Sequence, residues 1–239
     1  MNQFIDLTFT MRCGMRGVDW EQARTVETDG WNARTLHLYS HAGTHMDAQT
    51  HFAAGPGTIE VTPLERCMGP AWVVELDGIA DKTLITVAHL GEIAAKFQPG
   101  ESLLLLLLLL LLLLLRTGWS RHVDHPQHYR DNFPRIAEDL AHWCVQKQVN
   151  ILGVEPPSVA DVNNMPELTL IHQILLGANT TIVEGLTNLG SLTQERVFFV
   201  AAPLKIEGGD GCPCRAFAIE GITPDLAGFQ SGRRHLSNH

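Results

Sequence analysis

Apolar and polar residues alternate over short stretches of this chain, which then switches to helical spacing more than once. Phe4 to Phe9 alternates and predicts a strand. Residues 11–33, rich in Gly, Arg and Trp without a period, predict a loop. Thr35-Leu36-His37-Leu38-Tyr39 alternates again, a strand entering the histidine-rich stretch behind it, with Gly43 free to bend the chain. Gly55-Pro56-Gly57 makes a turn, and Ala71 to Leu76 reads as a buried strand. Thr86 is placed to cap a helix from Val87 to Phe97, stopped by Pro99-Gly100. Pro134 opens a helix whose apolar stripe of Ile136, Leu140, Trp143 and Cys144 runs to about Lys147, followed by a strand from Ile151 to Val154. Pro166 to Leu176 predicts a further helix, stopped at Gly177, and then a β-branched strand from Thr180 to Val183 with Glu184 at its end. Helix, short connection and strand in succession predict an α/β fold.

One stretch resists this treatment. Leu103 to Leu115 is thirteen consecutive leucines. A membrane-spanning helix needs ~20 apolar residues, so the run is too short for one. It is compatible with a buried strand or a buried helix, but a strand is typically ~5–6 residues and leucine favours helix. The flanks, a turn at Gln98-Pro99-Gly100-Glu101 and then Arg116-Thr117-Gly118-Trp119, point to a strand at its end. A monotonous run specifies packing poorly, so no functional residue is assigned within it.

Composition narrows the class. The 239 residues suffice for one large domain with a buried core, here taken as 1–230, with 231–239 as a mobile tail. Seventeen basic against 26 acidic residues give a formal charge of −9, without a basic stripe, which argues against nucleic acid as partner. The five cysteines, an odd number without a Cys-x-x-Cys pair, fit reduced thiols. With no basic, apolar leader at Met1-Asn2-Gln3-Phe4, they predict a cytoplasmic protein. Cys212-Pro213-Cys214 is too tight for an ordinary bridge and reads as packing.

The chemistry concentrates at His41, His45, Asp47 and His51, separated by four, two and four positions. On an extended chain these even spacings put all four on one face; on a continuous helix Asp47 and His51 would point away from the other two. Imidazole and carboxylate together suit zinc, manganese or iron, and a carboxylate has two oxygens with which to touch one ion or bridge two. Taken singly, His172 reads as a core or surface histidine and Glu184 as a solvated acid; together they lie across a predicted helix–turn–strand unit able to fold them toward each other. Glu155, at a strand end, faces either a site or a solvated turn. Trp20 and Trp31, upstream of the cluster, are candidates to wall a substrate pocket, or pack ordinarily.

His-x-Gly-Thr-His-x-Asp-x-x-x-His-Phe, as His41 to Phe52, resembles the signature of the cyclase-type metal-dependent hydrolases, which include bacterial kynurenine formamidase and isatin hydrolase. His172-Gln-Ile-Leu-Leu-Gly177 with Ile182-Val-Glu184-Gly-Leu-Thr-Asn-Leu189 is similar to that family's second metal segment. Pro203 to Arg215 resembles its closing motif. The resemblance implies a compact α/β domain of the swivelling β/β/α type, with a mixed, barrel-like sheet and flanking helices. It implies that His41, His45 and Asp47 hold one divalent ion, zinc first and manganese or iron as alternatives. Asp47, His172 and Glu184 would hold a second. His51 would be a general acid/base rather than a ligand. It further implies a small-molecule substrate, a homo-oligomer, and hydrolysis of an amide C–N bond by metal-activated hydroxide. The substrate would be an N-formyl aromatic amine or a small cyclic amide; the alternative is a non-catalytic metal-binding member with a structural or regulatory role. Two departures stand out. Gln49 occupies the position of the family's usual proline, and the Trp-Pro-Gly segment common near the start of formamidases is missing from residues 14–31.

Overall fold

A computed structural model describes residues 2–96 and 111–222. The strands are β1 (Gln3–Asp6), β2 (Val18–Arg24), β3 (Ala33–Leu38), β4 (His45–Asp47), β5 (Met68–Glu75), β6 (Leu84–Ile85), β7 (Leu111–Arg116), β8 (Arg135–Ile136), β9 (Val149–Val154), β10 (Thr181–Glu184), β11 (Arg196–Pro203) and β12 (Gly211–Glu220). The helices are α1 (Val26–Asp29), α2 (Glu92–Lys96), α3 (Pro126–Asp131), α4 (Glu138–Gln146) and α5 (Met165–Gly177). In the main sheet β5, β7, β9 and β10 run parallel. On one side the sheet continues antiparallel through β11 and β12, on the other through β4. Pairing of β4 with β12 closes the ring, so seven strands form a mixed barrel and β1 adds to the outer edge of β12. The α/β architecture and barrel-like core expected from the sequence are present.

Two apolar clusters follow from strand alternation. Met46, Val73, Leu112, Leu114, Ile151, Val183, Phe199, Ala216 and Ala218 fill the barrel. Val74, Leu113, Leu115, Leu152, Val154 and Ile182 face outward and are covered by Leu140, Trp143 and Cys144 of α4 and Ile171, Leu175 and Leu176 of α5. Parallel strands buried on both faces read as continuous apolar runs, and the last five leucines of the run form such a strand. Every leucine from 112 to 115 is fully buried. Residues 103–110 lie outside the described residues, as do Phe97 and the tail at 231–239. Cys67, Cys212 and Cys214 are buried free thiols of the barrel interior, in keeping with packing. No helix among the described residues is long and apolar enough to cross a membrane.

Three expectations change. Residues 11–33 are not a loop: they hold most of a twisted hairpin, β2 paired antiparallel with β3, and the one-turn helix α1 between them. β3 matches the strand read from the alternation at Thr35 to Tyr39, whereas β2 is largely exposed and no apolar alternation marked it. The helix from Val87 to Phe97 is broken. Thr86 does cap it, but a 3-10 turn over Val87–Leu90 ends at Gly91 (φ 54°, ψ −133°) before α2 starts. Pro134 does not open a helix; it leads into β8, which pairs parallel with β6, and α4 begins four residues after the proline, at Glu138. Ile136 is buried, but as a strand residue.

The closure depends on one close approach. Thr44 donates its hydroxyl to the Gly185 carbonyl at 2.5 Å and accepts the Phe9 amide at 2.9 Å. Gly185 has φ 63°, and a Cβ there would overlap the Gly43 carbonyl oxygen and reach 3.5 Å from Thr44 Cα. Positive φ and overlap both penalise any other residue. Gly185→Ala is therefore expected to destabilise the protein by about 2–4 kcal/mol in urea denaturation. A loss below about 0.5 kcal/mol, within the range of ordinary surface changes, would contradict this account of the closure.

Candidate metal centre

β4 is only three residues long, yet it carries two of the site's side chains on one face. Met46 pairs with Val183 and both enter the barrel interior. His45, paired with Glu184, and Asp47 therefore face the other way, toward α5. Buried His172 of α5 meets them there. His45 Nε2 lies 3.2 Å from Glu184 Oε2 and 3.6 Å from Asp47 Oδ1; His172 Nε2 lies 3.5 Å from Glu184 Oε1 and 3.7 Å from Asp47 Oδ2. Each carboxylate thus shows one oxygen to each imidazole. The even spacing of the motif explains only His45 and Asp47. His41 comes in over a bend containing Gly43 (φ 60°), and His51 sits on a 3-10 turn spanning Gln49–Phe52.

The rings are fixed from behind. His45 Nδ1 donates to the Gly43 carbonyl at 3.0 Å, and His172 Nδ1 to the Leu168 carbonyl one helical turn back at 2.7 Å. A carbonyl only accepts, so both rings carry their proton on Nδ1 and present Nε2 to the centre. Phe52 stacks on His172 with centroids 4.2 Å apart. The Val159 amide donates to Glu184 Oε1 at 2.8 Å. Despite the short contacts, His45 Nε2 and Asp47 Oδ2 are buried without a hydrogen bond. Buried polar atoms are nearly always satisfied, so this pair of orphans in a dry pocket suits a cation.

Electrostatics point the same way. Burial pushes His45 down, but Glu184 and Asp47 beside it outweigh this and raise it to about 9. His172 is raised by the same balance of burial against Glu184 and Asp47. Burial pushes Glu184 up, but His172 and His45 together hold it well below the usual carboxylate range. The nitrogens that face the centre are thus basic and Glu184 beside them is held anionic, the character of a ligand set.

His41 and His51 form a second tier, stacked with centroids 3.7 Å apart. His41 Nδ1 lies 2.8 Å from Asp47 Oδ1, and its Nε2 lies 3.1 Å from Oδ2 of Asp210. Burial lowers His41, and Asp47 and then Asp210 reverse this to a net rise. His51 shifts the opposite way: burial lowers it, and His41 and His172 add to that effect over the pull of Asp47. His51 is also the most open of the four clustered histidines, its side chain 21% exposed against 2–7% for His41, His45 and His172. The donor atoms of His41, His45 and Asp47 lie within 4.8 Å of one another, as do those of Asp47, His51 and His172, and of His41, His51 and Asp210.

So the structure brings His41, His45, Asp47, His51, His172 and Glu184 together. It does not bring the tryptophans there: Trp20, on β2, is half-covered by the Arg34 guanidinium at 5.3 Å, and Trp31, after α1, is 57% exposed. Neither makes a ring contact with the histidines among the described residues. Glu155 is not in a solvated turn. It is buried and accepts from Ser120 Oγ at 2.9 Å, Thr117 Oγ1 at 3.1 Å and the Trp119 amide at 3.2 Å, which ties the loop after β7 to the end of β9. Asp210 is the residue that sequence reasoning passed over. Its signal is a carboxylate set among glycines, Gly208-Gly209-Asp210-Gly211, just before β12. Gln49, in place of a proline, has a job of its own. Its amide nitrogen donates to the Leu176 carbonyl at 3.1 Å and Asn179 Oδ1 at 2.8 Å, and its oxygen accepts from the Gly57 amide at 3.0 Å. It fastens the turn bearing His51 to the end of the helix bearing His172.

Known proteins share this arrangement of chain. A kynurenine formamidase of Salinibacter ruber is 29% identical over 207 residues, covering 86% of this chain and 88% of its own. An isatin hydrolase of Roseibium aggregatum is 25% identical over 239 aligned positions, covering 84% of this chain and 81% of its own. The solved structure of isatin hydrolase A from Ralstonia solanacearum superposes with a TM-score of 0.76 at 24% identity, covering 91% of this chain and 92% of that one. The Cyclase family model matches residues 5–161, the span that runs from β1 through the histidine motif to the loop after β9. With well over half of its length matched, this chain belongs to the Cyclase family.

Proposed function

We propose that the protein is a metal-dependent hydrolase that cleaves an amide C–N bond in a small aromatic substrate. The observation that carries this reading is the convergence of two imidazoles, each locked to present Nε2, on two buried carboxylates, with His45 Nε2 and Asp47 Oδ2 unpartnered. His41, His45 and Asp47 would hold one divalent ion, and Asp47, His172 and Glu184 a second. The split of Asp47, with Oδ1 toward His41 and His45 and Oδ2 toward His172, supports a bridging role. Nitrogen and oxygen donors suit zinc, manganese and iron; zinc is the first choice. When bound, such an ion supplies Lewis acidity, lowering the pKa of water from ~15.7 toward ~7 and stabilising the charge that develops on a carbonyl oxygen.

The chain's own residues supply the proton chemistry. His51 stands at the open side of the cluster, and its lowered pKa leaves it neutral and able to accept a proton near pH 7. It takes one proton from the attacking water as the C–O bond forms at the carbonyl carbon. It then gives that proton to the nitrogen as the C–N bond breaks, because an amide leaves poorly as an anion. The relatives' names, kynurenine formamidase and isatin hydrolase, support a carbonyl bonded to the nitrogen of an aromatic amine, either as an N-formyl group or within a small ring.

Elemental analysis of the purified protein, with assays on an N-formyl aromatic amine and on isatin, tests the reading. His51→Ala is expected to keep its metal and lose turnover by ~10²–10⁴-fold. Loss of metal instead would make His51 a ligand. Asp47→Ala is expected to empty the site, and retained metal with full activity would remove Asp47 from it.

Removal of the ion gives a pH test with a definite sign. In the metal-free protein His45 is raised from 6.5 to about 9. A raised histidine contributes stability that is present in full below 6.5 and is lost as pH climbs through about 9. The denaturation midpoint of chelator-treated protein should therefore fall across that window. Zinc affinity should rise over the same window, because protons leave the nitrogens that the ion needs. A flat affinity profile between these limits would mean that His45 does not hold the metal.

A further inference from the structure

We propose that Asp210 is a positioning residue that sets the tautomer of His41 and so turns its metal-binding lone pair inward. This rests on the reading of His41 as a ligand and adds a member to the machinery that serves it.

A neutral imidazole has one N–H and one lone pair. The Nδ1 of His41 faces the cluster, 2.8 Å from Asp47 Oδ1 and grouped with the donor atoms of His45 and Asp47. Its Nε2 faces outward and lies 3.1 Å from Asp210 Oδ2. An ionised carboxylate accepts hydrogen bonds and cannot donate them. Once a cation occupies the inner side, the proton of His41 therefore has one place to go, Nε2, where Asp210 receives it. The lone pair is left on Nδ1. Metal-binding histidines commonly use a carboxylate on the far nitrogen in this way, which fixes the ring and makes it a stronger base toward the ion.

Asp210 is itself placed by backbone. Its carbonyl accepts from the Ala48 amide at 2.9 Å, and the neighbouring Gly211 pairs with Asp47 across β12 and β4. The His41 ring lies flush on Gly211: a Cβ there would come within 2.5 Å of Cε1 and 3.1 Å of Nδ1. His41 is thus held between a bare backbone surface and a carboxylate 169 positions away in sequence. His51 Nδ1, at 3.8 Å from the same Asp210 oxygen, is beyond hydrogen-bond range. The role argued for Asp210 is therefore toward His41.

The test is zinc affinity, measured by competition with a chromophoric chelator, in the wild type, Asp210→Ala, Asp210→Asn, His41→Ala and the His41→Ala/Asp210→Ala double variant. Asp210→Ala should weaken binding by roughly 10–100-fold without changing the number of ions bound. Asp210→Asn should lose less, because its amide oxygen still accepts from Nε2. In the His41→Ala background, removing Asp210 should cost nothing further, since the ring through which it acts is gone. Three results overturn the inference while leaving the metal site standing: unchanged affinity in Asp210→Ala, the same loss with or without His41, or loss of a whole equivalent of zinc, which would make Asp210 a ligand. A wild type that takes up no zinc would overturn the metal reading and this inference with it. Should Asp210→Ala fail to fold, the isosteric Asp210→Asn carries the comparison.

Discussion

The site depends on how the barrel is closed. Three residues of β4 hydrogen-bond to β10 on one side and β12 on the other, and without them the ring would have two open edges. Because side chains alternate along a strand, sending Met46 into the apolar interior obliges His45 and Asp47 to point outward, beneath α5. The register with β10 sets Glu184 beside His45, and the register with β12 sets Asp210 and Gly211 beside Asp47 and His41. A slip of one residue would send both polar side chains into the barrel core. Burial of Met46 and Val183 is therefore part of what holds His45, Asp47 and Glu184 in position.

That placement has an electrostatic consequence. Asp47 and Glu184 are buried together, and two carboxylates in a dry region are tolerated only with compensating positive charge. In the metal-free chain, protons on the histidines provide it, which is why His41, His45 and His172 all shift upward. A divalent ion can replace those protons without disturbing the hydrogen bonds that orient His45 and His172 from behind, since these use Nδ1. The proposed exchange of protons for a divalent ion would thus find the rings of His45 and His172 already turned.

How much of this was legible in the chain varied with the physics behind each element. Helix α5 and strands β9 and β10 were readable because burial stamps them with period and β-branched residues, and Gly177 closes the helix pattern. Of the hairpin, β3 showed in the alternation from Thr35 to Tyr39, but β2 did not, since it is largely exposed and nothing imposes alternation on it. The break at Gly91 and the β8 turn after Pro134 were decided by backbone details that apolar spacing does not record. Within the cluster, spacing accounted for His45 and Asp47, which share a strand, but the approach of His41 and His51 depends on a left-handed glycine and a 3-10 turn. Asp210 carried no periodic signal at all; it reaches His41 only through the long-range pairing of β12 with β4.

The division between rigid and adjustable parts follows from the same framework. His45, Asp47 and Glu184 stand on paired strands and His172 on a buried helix, so moving any one of them means breaking sheet or core contacts. His51 stands on a single 3-10 turn at the rim, held by local backbone bonds and fastened to its surroundings by side chains: Gln49 bridging to Leu176 and Asn179, Gln173 donating to the Phe52 carbonyl, and the stack with His41. An ion-binding group gains from immobility, because each donor must keep its distance while charge changes around it. In the proposed mechanism His51 would have to serve water at one moment and a leaving nitrogen at another, two points that do not coincide. A proline at position 49 would stiffen the turn through its backbone, whereas Gln49 stiffens it through three hydrogen bonds that can individually open. The turn that carries His51 is thereby tied to the helix that carries His172 without being made part of it.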